Sequence, residues 1–161
     1  MQIHLLRHGS AEDIPAGGAD ADRRLTHEGR DQLRRVLERA HAVGIVPSII
    51  LSSPLVRAVE TAELAAKGLG SAARVILTDS LLPSASPVQV WGEIRRRSNE
   101  TQILLAGHEP LLSRLAAHLL GVEALRLEMR KAMLLRIDMD DFGAVPHGTL
   151  KWVLPPEVLG G

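Results

Sequence analysis

The sequence predicts an α/β domain with a largely parallel sheet. Short apolar segments of strand length alternate with helical stretches of roughly 10–15 residues, the pattern of successive βαβ units. Near the end of the chain, Met133–Met139 and Thr149–Leu154 flank a loop and predict an antiparallel hairpin added to the sheet. With 161 residues, 45% of them hydrophobic, the chain is expected to form a single domain over residues 1–161 with a proper core.

Four apolar runs predict the strands that precede the hairpin, and helical patterns follow them. The segment Ser10–Arg24 has no periodicity and is expected to be a loop, after which Thr26 caps a helix. The predicted strands are Met1–Leu6, Ser48–Leu51, Arg74–Thr78 and Thr101–Ala106. The predicted helices begin at His27, Ser53-Pro54, Pro87 and Pro110 and end at Gly44, Lys67, Arg97 and Gly121, respectively.

Composition and charge exclude several function classes. Lys and Arg number 19, as do Asp and Glu, so the zero net charge argues against nonspecific binding to nucleic acid or a membrane surface. Aromatic residues make up 2%, too few for base-stacking platforms. The absence of cysteine excludes thiolate nucleophiles and Cys-based metal sites. No segment reads as a signal peptide or a membrane span, so a cytoplasmic location is expected.

Polar residues follow three of the predicted parallel strands. Arg7-His8-Gly9 ends the first strand, Arg57 lies in the helix after the second, and Gly107-His108 ends the fourth. Ligands bind at the carboxyl ends of parallel strands, so these side chains are expected to meet at one edge of the sheet. Each has an ordinary alternative when taken alone: Arg57 could pair with Glu60, and the histidines could be structural. Their joint placement favours a binding site.

Two guanidinium groups and two imidazoles suit a phosphoryl group. Each guanidinium can donate two parallel hydrogen bonds, and neighbouring helix N-termini add further N–H groups. An imidazole in such a field can attack phosphorus and form phosphohistidine. His8 is the favoured nucleophile because Gly9 allows a tight turn that exposes it, and His108 is expected to stabilise the developing charge.

Four segments together resemble the histidine phosphatase superfamily, which includes the phosphoglycerate mutases. They are Leu6–Gly9 (LRHG), Leu25–Gly29 (LTHEG), Ser52–Ala62 (SSPLVRAVETA) and Gly107–Pro110 (GHEP). The resemblance spans nearly the whole chain, and the short length and the closing Gly148–Trp152 look like the SixA-type phosphohistidine phosphatases. It implies a three-layer α/β/α sandwich of the phosphoglycerate mutase-like type, with no metal and no organic cofactor.

The resemblance also implies roles for individual residues. His8 would become phosphorylated during the reaction. Gly9 and Ser10 would be substrate-binding, with Ser10 adding a hydrogen bond, although a plain turn residue is an equal alternative there. The residues that would hold the transferring phosphoryl group are Arg7, Arg57 and His108.

One departure from the family pattern concerns the proton donor. The mutase-like relatives carry a glutamate after the third strand that protonates the leaving oxygen, whereas Asp79–Ser86 contains none. A phosphoramidate needs this acid less, because its leaving imidazole can be protonated before the P–N bond breaks. The departure favours phosphohistidine over sugar phosphates. Glu109 is an alternative proton donor; its other interpretation is a first-turn carboxylate favoured by the helix dipole.

The leading hypothesis is a phosphohistidine phosphatase that acts through phospho-His8 and releases a phosphate ion. Its partner would be a phosphohistidine-bearing protein such as a histidine phosphotransfer domain or a phosphocarrier. One alternative is a small-molecule phosphomonoesterase of the same superfamily, but no insertion in the chain would form an enclosing cap. The other is a non-catalytic phosphate-recognition module, whose sign would be loss of the nucleophile, and His8 is present.

Overall fold

The computed structural model describes residues 1–160 and contains a six-stranded mixed sheet. Its strands are β1 Gln2–Arg7, β2 Ile49–Ser52, β3 Val75–Leu77, β4 Gln102–Gly107, β5 Leu134–Asp138 and β6 Thr149–Leu154. Their order across the sheet is β3-β2-β4-β1-β5-β6. Strands β1 to β4 run parallel, whereas β5 is antiparallel to β1 and β6 is antiparallel to β5. The predicted parallel sheet with a C-terminal antiparallel hairpin is therefore confirmed.

Two helices cover each face of the sheet. The helices are α1 His27–Ala42, α2 Val56–Gly68, α3 Pro87–Arg95 and α4 Leu111–Leu120. On one face α1 and α2 pack against Leu6 and Leu104, and on the other α3 and α4 pack against Ile3 and Leu5. Because β1 is apolar on both faces, it can lie in the middle of this three-layer α/β/α arrangement, which confirms the predicted fold class. Within residues 1–160, no helix combines the length and apolar character that a membrane crossing requires.

The prediction that Ser53-Pro54 begins the second helix was wrong by two residues. The helix begins at Val56, and Leu55 occupies the N-cap position. The cause is that the chain stays extended past β2, since the Ser53 N–H still donates to the carbonyl of Ala106 at 3.1 Å. This extension carries Ser53 and the first turn of α2 to the carboxyl edge of the sheet.

Candidate active site

The residues that follow β1 and β4 lie side by side at the carboxyl edge of the sheet. Arg7 pairs with Gly107 in the parallel ladder, and the His8 N–H donates to the Gly107 carbonyl at 3.0 Å. His8 and His108 therefore leave the sheet together. Both are buried, and their ring centroids are 5.0 Å apart.

Arg57 joins this cluster from the first turn of α2. Its side chain is buried, and its positive charge acts on both histidine rings. The structure thus brings together the four residues that the sequence analysis singled out as catalytic: Arg7, His8, Arg57 and His108.

The His8 ring is held neutral with one nitrogen free to react. Its Nδ1 lies 2.7 Å from the carbonyl oxygen of Gly9, so Nδ1 carries the hydrogen and donates it, which leaves the lone pair on Nε2. Burial lowers the pKa of His8 to about 4, and the charges of Arg57 and Arg7 act in the same direction. At neutral pH, His8 is therefore an uncharged imidazole with its lone pair on Nε2.

His108 is held by a hydroxyl from the end of β2. Its Nε2 lies 2.7 Å from the Oγ of Ser53, and that Oγ also accepts the N–H of Leu55 at 3.3 Å. We assign the Ser53 hydroxyl as the donor to His108 Nε2, which puts the His108 ring hydrogen on Nδ1. Burial, with the neighbouring His8 and Arg57, lowers the pKa of His108 to about 3.

Three buried N–H groups at this edge lack hydrogen-bond partners among residues 1–160. They are the Nε of Arg7, the Nε of Arg57 and the Nδ1 of His108. A buried donor without a partner costs roughly 1–3 kcal/mol, and the oxygen of an oxyanion is an acceptor that can satisfy such a group. Donors of this kind suit an anion rather than a cation. Within the described chain, no group of three or more His, Cys, Asp or Glu side chains is placed to hold a metal ion.

Gly9 and Ser10 form the turn that carries His8 out of the sheet. The Gly9 N–H donates to the hydroxyl of Thr61 at 3.3 Å, and the Ser10 carbonyl accepts the N–H of Thr26 at 2.9 Å. A Cβ on Gly9 would lie 2.8 Å from the carbonyl oxygen of Gly29. The absence of a side chain at Gly9 and at Gly29 therefore lets α1 pack directly against the turn that follows His8.

Glu109 is placed next to His108 and bound to the helix that follows. Its Oε1 accepts the backbone N–H of Ser113 at 2.9 Å, in the first turn of α4. A carboxylate at this place satisfies one of the free N–H groups of the helix start.

Comparison with known proteins places the chain in a family. The model of the histidine phosphatase superfamily (branch 1) matches residues 3–82. An uncharacterized protein of Picosynechococcus sp. is 34% identical over 134 residues, which cover 82% of this chain and 81% of that protein. The chain belongs to the histidine phosphatase superfamily. This confirms the family predicted from the four sequence segments.

Two further similarities are to SixA proteins. Phosphohistidine phosphatase SixA of Escherichia coli K12 is 27% identical over 158 residues, covering 97% of this chain and 94% of that protein. The solved structure of the protein histidine phosphatase SixA complexed with tungstate has a TM-score of 0.88 at 24% identity, covering 99% of this chain and 100% of that one. The fold is thus phosphoglycerate mutase-like, and this member of the histidine phosphatase superfamily is a phosphatase.

In this histidine phosphatase, sequence reasoning missed two residues that contact the site. Arg57 pairs with Asp20 rather than with Glu60, which instead binds Arg30 at 2.8 Å. Asp20 lies in the aperiodic segment before α1, where no pattern distinguishes it from neighbouring acids. Ser53 was expected to cap a helix, but its hydroxyl contacts His108. Neither contact has a local sequence signal.

Proposed function

We propose that this phosphatase hydrolyses phosphohistidine on a partner protein through a covalent phospho-His8 intermediate. The observation that carries the proposal is a neutral imidazole with its lone pair on Nε2, beside three buried N–H groups that have no partner among residues 1–160. The similarity to the phosphohistidine phosphatase SixA of Escherichia coli over nearly its full length supports the same substrate class.

The first step transfers the phosphoryl group to His8. Nε2 attacks phosphorus in line, the P–N bond of the substrate breaks, and the leaving ring keeps the electron pair. Preorganised donors stabilise charge that develops on the equatorial oxygens, and removing one such donor costs about 10²–10³ in kcat. We assign that role to Arg7, Arg57 and His108.

The second step returns the enzyme to its starting state. Water attacks phospho-His8, a phosphate ion leaves, and Nε2 regains its lone pair. Phosphorylation on Nε2 makes the ring cationic while Nδ1 keeps its hydrogen, so the Gly9 carbonyl stabilises the intermediate through the same hydrogen bond.

The chemistry of the leaving group favours phosphohistidine over a phosphomonoester. An alkoxide needs a positioned acid, and residues 79–86 contain no glutamate. Glu109 is bound to the start of α4 through Ser113. A protonated imidazole leaves as a neutral ring and needs no such donor.

The test is a comparison of substrates and variants. Phosphate release is measured from a phosphorylated histidine phosphotransfer domain and from p-nitrophenyl phosphate, phosphoserine and a sugar phosphate. The proteins are the wild type, His8→Ala and the control His27→Ala, whose ring is 89% exposed on α1. We expect the wild type and the control to prefer the phosphohistidine protein, and His8→Ala to lose at least about 10³-fold in kcat/KM.

Three results would contradict the proposal in different ways. A wild-type preference for the monoesters would indicate a small-molecule phosphomonoesterase. Equal activity in His8→Ala would remove the covalent mechanism. Phosphate binding by the wild type without turnover of any substrate would indicate a recognition module.

A further inference from the structure

A carboxylate from the segment between β1 and α1 lies on the buried Arg57. Arg57 Nη1 donates to the carbonyl of Asp20 at 2.9 Å, and Nη2 donates to its Oδ2 at 3.1 Å. The Arg57 side chain is 6% exposed, whereas that of Asp20 is 54% exposed. Asp20 therefore lies on the solvent side of the Arg57 guanidinium, and we call this side of the cluster formed by Arg7, His8, Arg57 and His108 the mouth of the pocket.

This segment is anchored rather than loosely placed. Arg23 donates from Nε to the carbonyl of Glu12 at 2.7 Å and from Nη1 to Asp20 Oδ1 at 3.1 Å. A β-bridge joins Ala11 to Leu25 at its base. Asp20 is thus held at the pocket mouth by contacts on both sides.

Asp20 changes the charge balance of the pocket. Arg7 and Arg57 contribute two positive charges, and both histidines are neutral at pH 7. The hydrogen bond from Arg23, together with Arg57, lowers the pKa of the Asp20 carboxyl, so it is ionised and cannot serve as a proton donor. An anion at the mouth disfavours a phosphomonoester dianion, which brings no positive charge. It favours a phosphohistidine whose ring carries a proton.

We propose that Asp20 is a specificity-determining residue that accepts a hydrogen bond from the unphosphorylated ring nitrogen of the substrate phosphohistidine. The inference rests on the proposed function and deepens it. In an in-line transfer the leaving group departs from the face opposite His8, and Asp20 is the solvent-exposed hydrogen-bond acceptor bound to Arg57 at this edge of the sheet. No other residue of the segment pairs with a predicted catalytic arginine among the described residues.

The proposal makes the transfer a near-symmetric exchange between two imidazoles. The substrate ring starts as a cation with phosphorus on one nitrogen and hydrogen on the other. As its P–N bond breaks, the electron pair goes to that nitrogen and the ring leaves neutral with its hydrogen still on the far nitrogen. His8 becomes the phosphorylated cation with its hydrogen on Nδ1. An oxygen acceptor stabilises each ring: the Gly9 carbonyl for His8 and the Asp20 carboxylate for the substrate.

The experiment compares Asp20→Asn with the wild type on two substrates. These are a phosphorylated histidine phosphotransfer domain and p-nitrophenyl phosphate, whose leaving group has no proton for Asp20 to hold. The matched control is Asp13→Asn, the same change at an exposed position of the same segment. For Asp20→Asn we expect the ratio of kcat/KM on the phosphohistidine protein to kcat/KM on p-nitrophenyl phosphate to fall about tenfold or more. The control should match the wild type on both.

The pH profile gives a readout that a purely structural role would not move. The Asp20 carboxylate stabilises the protonated substrate ring and raises its pKa, so activity persists to higher pH in the wild type. In Asp20→Asn, the alkaline limb of kcat on phosphohistidine, which reports ionisations in the enzyme–substrate complex, should move about one unit to lower pH.

Each contrary outcome has a distinct meaning. An equal loss on both substrates, with an unmoved alkaline limb, would make Asp20 a support for Arg57 and overturn the inference. A gain on both substrates would make Asp20 a block on the pocket and also overturn it. If the wild type hydrolyses p-nitrophenyl phosphate but not phosphohistidine, the proposed function itself fails.

Discussion

Ser53→Ala tests whether a single hydroxyl sets the tautomer of His108. Ser53 is fully buried, and its Oγ is 2.7 Å from His108 Nε2. The substitution removes that oxygen and leaves Nε2 without this partner. The ring hydrogen is then no longer held on Nδ1, the buried atom without a partner among residues 1–160 to which the proposed function assigns the contact with a phosphoryl oxygen.

The expected magnitude follows from one hydrogen bond between neutral groups. Such a bond contributes about 1 kcal/mol net, and the orphaned partner costs about 1–3 kcal/mol. A tautomer preference of about 1–1.5 kcal/mol corresponds to roughly a fivefold to tenfold change in population. We therefore expect kcat/KM on phosphohistidine to fall about tenfold in Ser53→Ala, with a loss of about 1–3 kcal/mol in the free energy of unfolding.

Ser52→Ala is the matched control. Ser52 is equally buried at the same strand end, but its hydroxyl donates to the Ser53 carbonyl at 2.9 Å rather than to a histidine. It should lose stability and keep activity. The ¹⁵N shifts of His108 should report Nδ1–H in the wild type and in Ser52→Ala, and a mixture in Ser53→Ala. Unchanged shifts together with full activity in Ser53→Ala would refute the reasoning.

Three further predictions concern pH, the turn after β1 and the carboxylate after His108. Burial is the largest cause that lowers the pKa values of three histidines below 6.5, to about 4 for His4 and His8 and about 3 for His108. As the pH falls, the unfolded chain binds protons at these histidines before the folded chain does. Their contribution to stability is therefore complete above about pH 6.5 and falls towards pH 4. Urea unfolding at pH 5 should show a free energy of unfolding lower by about 1–2 kcal/mol per histidine than at pH 7.5. Gly9→Ala should lower the free energy of unfolding by about 1–3 kcal/mol and reduce activity, because the added Cβ would lie 2.8 Å from a backbone oxygen and a leucine methyl of α1. Wild-type stability in urea together with wild-type hydrolysis of phosphohistidine would contradict this. Glu109→Gln should hydrolyse phosphohistidine within about twofold of the wild-type rate across the pH range, because the amide oxygen can still accept the Ser113 N–H at the start of α4. A pH-dependent loss of activity would instead assign Glu109 a role in proton transfer.

The convergence of the four candidate residues was predictable because it follows from local patterns and one rule of topology. Apolar runs that stop at Arg7 and Gly107 locate two strand ends, and parallel pairing brings such ends to one edge. The same patterns predicted the C-terminal hairpin. They could not show that Arg7 and Gly107 are direct ladder partners, because strand order depends on long-range packing.

The contacts of Asp20 and Ser53 were not predictable for a physical reason. The Asp20–Arg57 pair joins residues 37 positions apart, and the Ser53–His108 pair joins residues 55 positions apart. Neither belongs to a repeating pattern of helix or strand. Local reasoning assigned the Ser53 hydroxyl to the backbone of the next helix, whereas the extended chain after β2 turns it towards the histidine. Polar contacts of this kind depend on the assembled sheet edge.

The most direct test of the account is the position of the phosphoryl group during turnover. The wild type is mixed with a ³²P-phosphorylated histidine phosphotransfer domain, quenched in alkali within milliseconds and digested, and the label is located by mass spectrometry. We expect transient phosphate on Nε2 of His8, with none in His8→Ala. Phosphate release at the full rate without any labelled enzyme, or label on another residue, would contradict it.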